Sequence, residues 1–167
     1  MALAKAEGEA QNCRQAIDAY KEALEIYSLE KSLAQYATTN IDLGKAYLSL
    51  ARSDERQKNC QEAIKACKEA LFINTIDSSP TDYDEAQGML WIAYSTLADI
   101  ENKAENANLA LDACRERLKI FTIDEPLNYA SCQKDLAETY IMLSNATYSD
   151  QKRPFTARKQ LKHLIKL

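Results

Sequence analysis

Five cysteines and a single histidine are the residues of this chain with the widest scope for chemistry. Cys60 and Cys67 are seven residues apart, which puts both thiols on one face of a helix, so a metal site is the first possibility to weigh. No second pair of ligands stands at a zinc-binding spacing, and the odd number of cysteines does not suggest a disulfide framework. We therefore interpret the cysteines as buried thiols that pack as small apolar side chains, and we predict no metal and no cofactor.

Catalysis has little support among the other polar residues. His163 lies in a basic C-terminal segment, and the chain has no Gly-rich phosphate loop, no His-based triad and no zinc motif. The many carboxylates fall on the outer faces of predicted helices, where they usually only solvate the surface. A glycosylation sequon begins at Asn145, but we interpret it as a chance match because no signal peptide precedes the first predicted helix. We predict that the protein is not an enzyme.

The composition favours helix throughout the chain. The 167 residues are 46% hydrophobic, which is enough to bury a sizeable core and argues against disorder. Only three Gly and three Pro are present, while Ala, Leu, Glu and Lys are abundant. The sequence therefore predicts an all-α fold.

The net charge of −4 conceals an acidic body and a basic end. Residues 152–167 hold six Lys or Arg and no acid, which leaves about −10 on the residues before them. An acidic body argues against nucleic acid as the main ligand. No apolar run approaches the roughly 20 residues that a membrane-spanning helix needs, and no signal peptide is apparent. We expect a soluble, cytoplasmic protein and no membrane role.

A repeated segment explains how the chain is organised. Asn-Cys-Arg-Gln-Ala-Ile at residues 12–17 returns as Asn-Cys-Gln-Glu-Ala-Ile at 59–64 and as Asn-Ala-Asn-Leu-Ala-Leu at 106–111, so the period is 47 residues. In the first copy one helical stripe is formed by Ala16, Ile17, Tyr20, Ala23 and Leu24. A period of this length predicts helical units that stack on their neighbours and present an extended binding surface.

A second kind of helix recurs between these segments. Its first copy carries Tyr36, Leu43, Gly44, Tyr47, Leu50 and Ala51. The third copy starts at Tyr129, one residue early, so its preceding loop is shorter. Ser79 before Pro80, and Asp124 before Pro126, predict helix starts with a capping side chain and a first-turn proline.

These patterns predict about seven helices in antiparallel pairs, in one domain that spans residues 1–167. The expected helices are 12–27, 32–52, 57–74, 80–101, 104–121, 126–146 and 153–166. We group them as an orphan helix at 12–27 and three units at about 32–74, 80–121 and 126–166. Leu3 and Ala4 align with Leu50 and Ala51, the tail of a helix that is otherwise absent. We infer either a fragment of a longer array or an end without its capping helix.

Leu43, Gly44 and Tyr47, followed on the partner helix by Ala63, Cys67 and Ala70, resemble the tetratricopeptide repeat signature. The period departs from the usual length of about 34 residues, so the chain resembles a long-period variant with helices lengthened by roughly two turns each. This resemblance implies a right-handed α-solenoid, or helical repeat, in which the first helix of each pair lines a concave groove.

Two residues depart from the family pattern where it has a small side chain. Trp91 stands at the position of Gly44, and Arg117 stands at the position of Ala70. We predict a local repacking in which Gly88, one turn earlier on the same helix, makes room for Trp91. The alternative is that Trp91 is an exposed aromatic anchor for a ligand.

The resemblance also implies which side chains face the groove. They are Ile41, Lys45 and Leu48 in the first unit, Gly88, Ile92 and Ser95 in the second, and Lys134, Glu138 and Ile141 in the third. Mixed apolar and charged groups suit an extended peptide or an amphipathic helix, although a solvated face without a ligand is the alternative for each residue. Some relatives grip a terminal carboxylate with Lys, Asn and Arg. Lys45 and Lys134 lack those companions, so we predict no such clamp.

Two functions follow as expectations. The first is a non-catalytic protein–protein interaction module, an adaptor that binds a partner's peptide or helix in the groove. The second is a self-associating scaffold that stacks through its terminal repeats as a homo-oligomer. The basic segment 152–167 is interpreted as the closing helix of the array, docked on the acidic body. A helix that lies on an anionic membrane or a partner is the alternative.

Overall fold

The computed structural model describes residues 2–27, 32–122 and 124–152. Within those ranges the chain forms six helices and no strands, which confirms the prediction of an all-α fold. The helices are α1 (Ala2–Ile26), α2 (Leu33–Leu50), α3 (Arg56–Ile73), α4 (Pro80–Ala98), α5 (Lys103–Arg117) and α6 (Pro126–Lys152). Among the residues described, none of these helices is both long and apolar enough to cross a membrane. The seventh helix predicted at 153–166 lies outside them.

The predicted start of the first helix near residue 12 is wrong, because α1 begins at Ala2. Leu3 and Ala4 therefore belong to α1 and are not the tail of a separate helix. In the later copies the residue four positions before the repeated asparagine has a left-handed backbone: φ is 36° at Glu55 and 46° at Asn102. Gly8 holds that position in the first copy, but the chain continues through it as helix.

The repeated asparagine stabilises the turn between two helices. The Asn59 side chain donates a hydrogen bond to the carbonyl of Asp54 at 2.8 Å, and Asn106 donates to the carbonyl of Glu101 at 2.9 Å. Both asparagines are buried, so each bond satisfies a carbonyl and an amide that water reaches poorly. The recurrence of this residue at 59 and 106 thus reflects the geometry of the turn.

The other ends of the helices are joined by the recurring tyrosines. Tyr36 donates its hydroxyl to Glu69 at 3.0 Å, and Tyr83 donates to Glu116 at 2.7 Å, 47 residues further along. Pro80 is at the start of α4 as predicted, but the predicted cap is wrong because the Ser79 side chain makes no capping hydrogen bond.

Each helix packs against the next one in the chain, and α4 also packs against α2 and α6. The connections at 51–55, 74–79 and 99–102 are short, so the neighbouring helices from α2 to α5 run antiparallel. The predicted burial of the thiols is confirmed for the four fully enclosed cysteines, Cys60, Cys67, Cys114 and Cys132, and is wrong for Cys13, which is half-exposed. An added Cβ at Gly44 would lie 3.0 Å from the Cys67 sulfur, so glycine permits the close approach of α2 and α3.

Candidate binding face and the two helix junctions

An ion pair joins α2 to α4 on the surface that these helices share. Lys45 Nζ lies 2.8 Å from Glu85 Oε1 and 3.2 Å from Asp42 Oδ1. Burial acts to lower the pKa of Lys45, but the hydrogen bonds to Glu85 and Asp42 outweigh that effect and the pKa is raised. Lys45 is therefore held as a cation between two acids. It is exposed but already paired.

A cavity of about 560 Å³ opens beside this ion pair, between α2, the start of α3, and α4. Two of the predicted groove residues line it: Leu48, which also contacts the core, and Ile92, which is 45% exposed. The complete lining is Leu48, Ser49, Ala51, Arg52, Arg56, Cys60, Ile92 and Thr96. Apolar side chains and cationic groups thus meet in one concavity. Arg52 and Arg56 were not among the residues predicted to face the groove.

Three predicted groove residues do not offer an open surface to a ligand. Ile41 is only 2% exposed, because α4 covers that part of α2, so its assignment to the groove is wrong. Ser95 is also buried, and its hydroxyl has no hydrogen-bond partner among the described residues. Gly88 is covered by the guanidinium of Arg117, whose Cζ would lie 3.6 Å from an added Cβ.

The three groove residues predicted on α6 lie on its surface. Lys134 pairs with Glu138 at 3.0 Å along the same helix, and Ile141 is 62% exposed. None of them lines the cavity between α2, α3 and α4. The structure therefore brings Lys45, Leu48 and Ile92 together on one surface, while the α6 residues stand apart.

A partly buried ion triad holds α4, α5 and α6 together. Arg117 Nε lies 2.6 Å from Asp84 Oδ1, and its Nη1 lies 2.6 Å from Asp135 Oδ2. Burial acts to lower the pKa of Arg117, but the hydrogen bond to Asp84 and the charge of that acid outweigh this effect. The pKa of Arg117 is therefore raised. Burial raises the pKa of Asp135, and the charge of Arg117 offsets only part of this rise. One cation thus bridges two helices from a third.

Trp91 does not use the space at Gly88, so that part of the predicted repacking is wrong. Its indole nitrogen donates a hydrogen bond to Thr139 Oγ1 at 2.9 Å, and the half-buried ring packs against the core. The fully buried Thr139 hydroxyl in turn donates to the carbonyl of Asp135 at 2.8 Å. Repacking does occur around Gly88, but Arg117 fills the gap.

The two positions form a size exchange between repeat units. Ile41 and Ala70 lie in one core cluster, whereas at the equivalent positions Gly88 meets the long side chain of Arg117. A large and a small residue have changed places, so each junction stays filled. We call the contacts around Ile41 and Ala70 the first junction, and those around Gly88 and Arg117 the second junction. The sequence signal for this exchange is that positions 41 and 70 change together at positions 88 and 117, from large and small to small and large.

Comparison of the chain with models of protein families, with curated proteins and with solved structures found no match.

Proposed function

We propose that this protein is a non-catalytic interaction module, built as a tetratricopeptide-like solenoid, that binds a peptide or a helix of a partner protein. The observation that carries the proposal is the cavity of about 560 Å³ between α2, α3 and α4, with Leu48 and Ile92 in its wall. A concavity with an apolar wall and a few polar groups suits side chains of a short peptide.

The packing of the helices supports the solenoid part of the proposal. Each described helix packs on its successor, and α4 contacts both α2 and α6, as expected when the first helices of successive units form one layer. A cytoplasmic location belongs to the same proposal and rests on the sequence alone.

Selection from a library of displayed random peptides tests the binding function. We expect wild-type protein to enrich a family of related peptides, and Ile92→Glu to lose them, because a charge replaces the apolar side chain at the cavity. Leu109→Glu is the matched control, since Leu109 is a comparably exposed aliphatic residue on α5. Failure to enrich any peptide, or equal loss with both variants, would contradict the proposal.

Self-association as a scaffold is a second candidate, favoured by exposed apolar side chains at one end of the molecule. Leu33 begins α2, Phe72 ends α3 and Leu127 begins α6, and Phe72 and Leu127 are 78% and 86% exposed. A surface of this kind could contact a second copy. Light scattering over a concentration series tests it: a mass that grows with concentration, and that falls back in Phe72→Ser, supports the scaffold, while a constant monomer mass excludes it.

A further inference from the structure

Two arginines line the cavity where α2 ends and α3 begins. Arg52 follows the last turn of α2 and Arg56 is the first residue of α3, and both side chains are exposed. Neither one makes an ion pair or a side-chain hydrogen bond with the part of the chain that the structure describes. The cavity therefore carries positive charge that the fold does not neutralise.

The acids nearest in sequence are already engaged elsewhere. Asp54 forms an ion pair with Arg14 of α1, and Glu55 pairs with Lys58 at 2.8 Å. The two cationic side chains thus act in the same sense on whatever enters the cavity.

The remaining lining provides an apolar surface and two hydroxyls. Leu48 and Ile92 supply the apolar surface, and Ser49 and Thr96 add hydroxyl groups. Burial raises the pKa of the Cys60 thiol in the cavity wall, and the charge of Arg56 opposes this rise.

The corresponding turn between α4 and α5 lacks this feature. The positions equivalent to Arg52 and Arg56 are Asp99 and Lys103, one acid and one base. The repeat itself consequently does not require two arginines there, and their placement beside an open cavity is particular to the turn between α2 and α3.

We propose that the cavity binds an acidic side chain of a partner peptide, with an adjacent apolar side chain packed on Leu48 and Ile92. The carboxylate would accept charge-assisted hydrogen bonds from Arg52 and Arg56. The inference rests on the proposed function and adds the chemistry of the peptide. The formal charge of −4 on the whole chain disfavours a long polyphosphate, whereas one or two carboxylates beside an apolar group match the size and the charge of the cavity.

Fluorescence polarisation with two synthetic probes tests the proposal. One is a fluorescein-labelled peptide of repeated Leu-Glu-Glu triplets, and the other has Lys in place of every Glu. We expect the Glu probe to bind about tenfold more tightly than the Lys probe, and the double variant Arg52→Glu, Arg56→Glu to reverse that order. Raising the salt from about 0.05 M to about 0.5 M should weaken binding of the Glu probe.

The matched control is the double variant Lys68→Glu, Lys103→Glu. It changes the net charge by the same amount at exposed lysines outside the cavity, so it should alter binding by less than about threefold. Circular dichroism of both double variants checks that the fold is retained.

Four results would overturn the inference. Equal affinity for the two probes, lost in Ile92→Glu, would leave a binding module without acidic preference, so the proposed function would stand alone. Equal loss in both double variants would reduce the effect to net charge. Tighter binding of a labelled single-stranded RNA than of the Glu probe would assign the arginines to phosphates. Binding of neither probe also refutes the acidic preference, while the display selection decides the proposed function separately.

Discussion

The first junction is filled by apolar side chains, whereas the second junction, 47 residues further along, is filled by an arginine held between two aspartates. Ile41 packs in the first core with Ala70, and Arg117 covers Gly88 in the second. In the same unit, the cavity at the turn between α2 and α3 carries Arg52 and Arg56, which have no ion-pair partner among the described residues.

The two copies of the repeat place their cationic groups differently. The second junction satisfies its charges internally, through Asp84 and Asp135, and ties three helices together. The first junction has an apolar interior, and the cationic groups of the same unit, Arg52 and Arg56, face an open cavity at the turn between α2 and α3. The combined side-chain volume of the two exchanged residues is similar at both junctions. What differs is the location of the cationic groups, which are paired within the fold in one unit and exposed at its surface in the other.

Removal of the cation at the second junction should have the largest effect on stability. Arg117→Met leaves the buried Asp135 and the partly exposed Asp84 without their cation, and we expect it to lower the free energy of unfolding by about 3 kcal/mol. Urea denaturation followed by circular dichroism measures the change. The matched control is Arg115→Met, which removes an exposed ion pair with Asp112 and should cost less than about 1 kcal/mol.

The same junction can be rebuilt to resemble the first. The variant Asp84→Ala, Gly88→Ile, Arg117→Ala, Asp135→Met installs the residues found at the equivalent positions of preceding units. Because a well-packed apolar cluster can replace a buried ion triad, stability should return to within about 2 kcal/mol of wild type. A variant no more stable than Arg117→Met would show that the two junctions are not interchangeable and that the size exchange is not the basis of their difference.

The periodic pattern was sufficient to predict the helices and the buried thiols, because burial of one stripe per helix imposes a spacing that any copy reveals. It failed where a residue's role depends on a partner in another helix. Ile41 was assigned to a surface that α4 covers, and Gly88 was paired with Trp91 when Arg117 fills it. The first helix was expected to start near residue 12, yet α1 begins at Ala2, because the repeat pattern carries no information on residues that precede its first copy.

The candidate cavity was predicted only in part, because two of its lining residues lie in a turn. Leu48 and Ile92 lie on the helix faces that the family resemblance assigns to the groove, and both line one cavity. Arg52 and Arg56 lie at the end of one helix and the start of the next, where no helical period relates them. Their convergence follows from the turn between α2 and α3, which becomes visible only in three dimensions.

Substitution of alanine for Gly44 or Gly88 should have an effect of intermediate size on stability, and the effect should differ between the two positions. Both Gly44→Ala and Gly88→Ala gain helix propensity of about 1 kcal/mol. At Gly44 the new Cβ meets the enclosed Cys67 sulfur at 3.0 Å, whereas at Gly88 it meets the end of a flexible side chain at 3.6 Å. We expect Gly88→Ala to be more stable than Gly44→Ala by about 1 to 2 kcal/mol in thermal or urea unfolding. Equal stabilities would mean that the first junction yields as readily as the second.

The smallest effect concerns the equivalent thiols at the two junctions. Burial raises the pKa of Cys67 to about 12 and that of Cys114 to about 11, from an ordinary value of 9.0. A raised pKa on folding stabilises the folded chain fully below pH 9.0, and this contribution is lost as the pH rises through the folded value. Between pH of about 8 and about 10, unfolding free energy should therefore fall about 1 kcal/mol less in Cys67→Ala than in wild type, as measured by urea denaturation. Cys13→Ala, at a half-exposed cysteine, is the matched control.

The two thiols should also differ from each other. Burial raises the pKa of Cys114, and its hydrogen bond with the Thr139 hydroxyl, which is absent from the first junction, opposes that rise. The pH-dependent loss of stability that is due to Cys114 should therefore level off at a lower pH than the loss that is due to Cys67. Identical alkaline profiles for Cys67→Ala and Cys114→Ala would contradict this distinction.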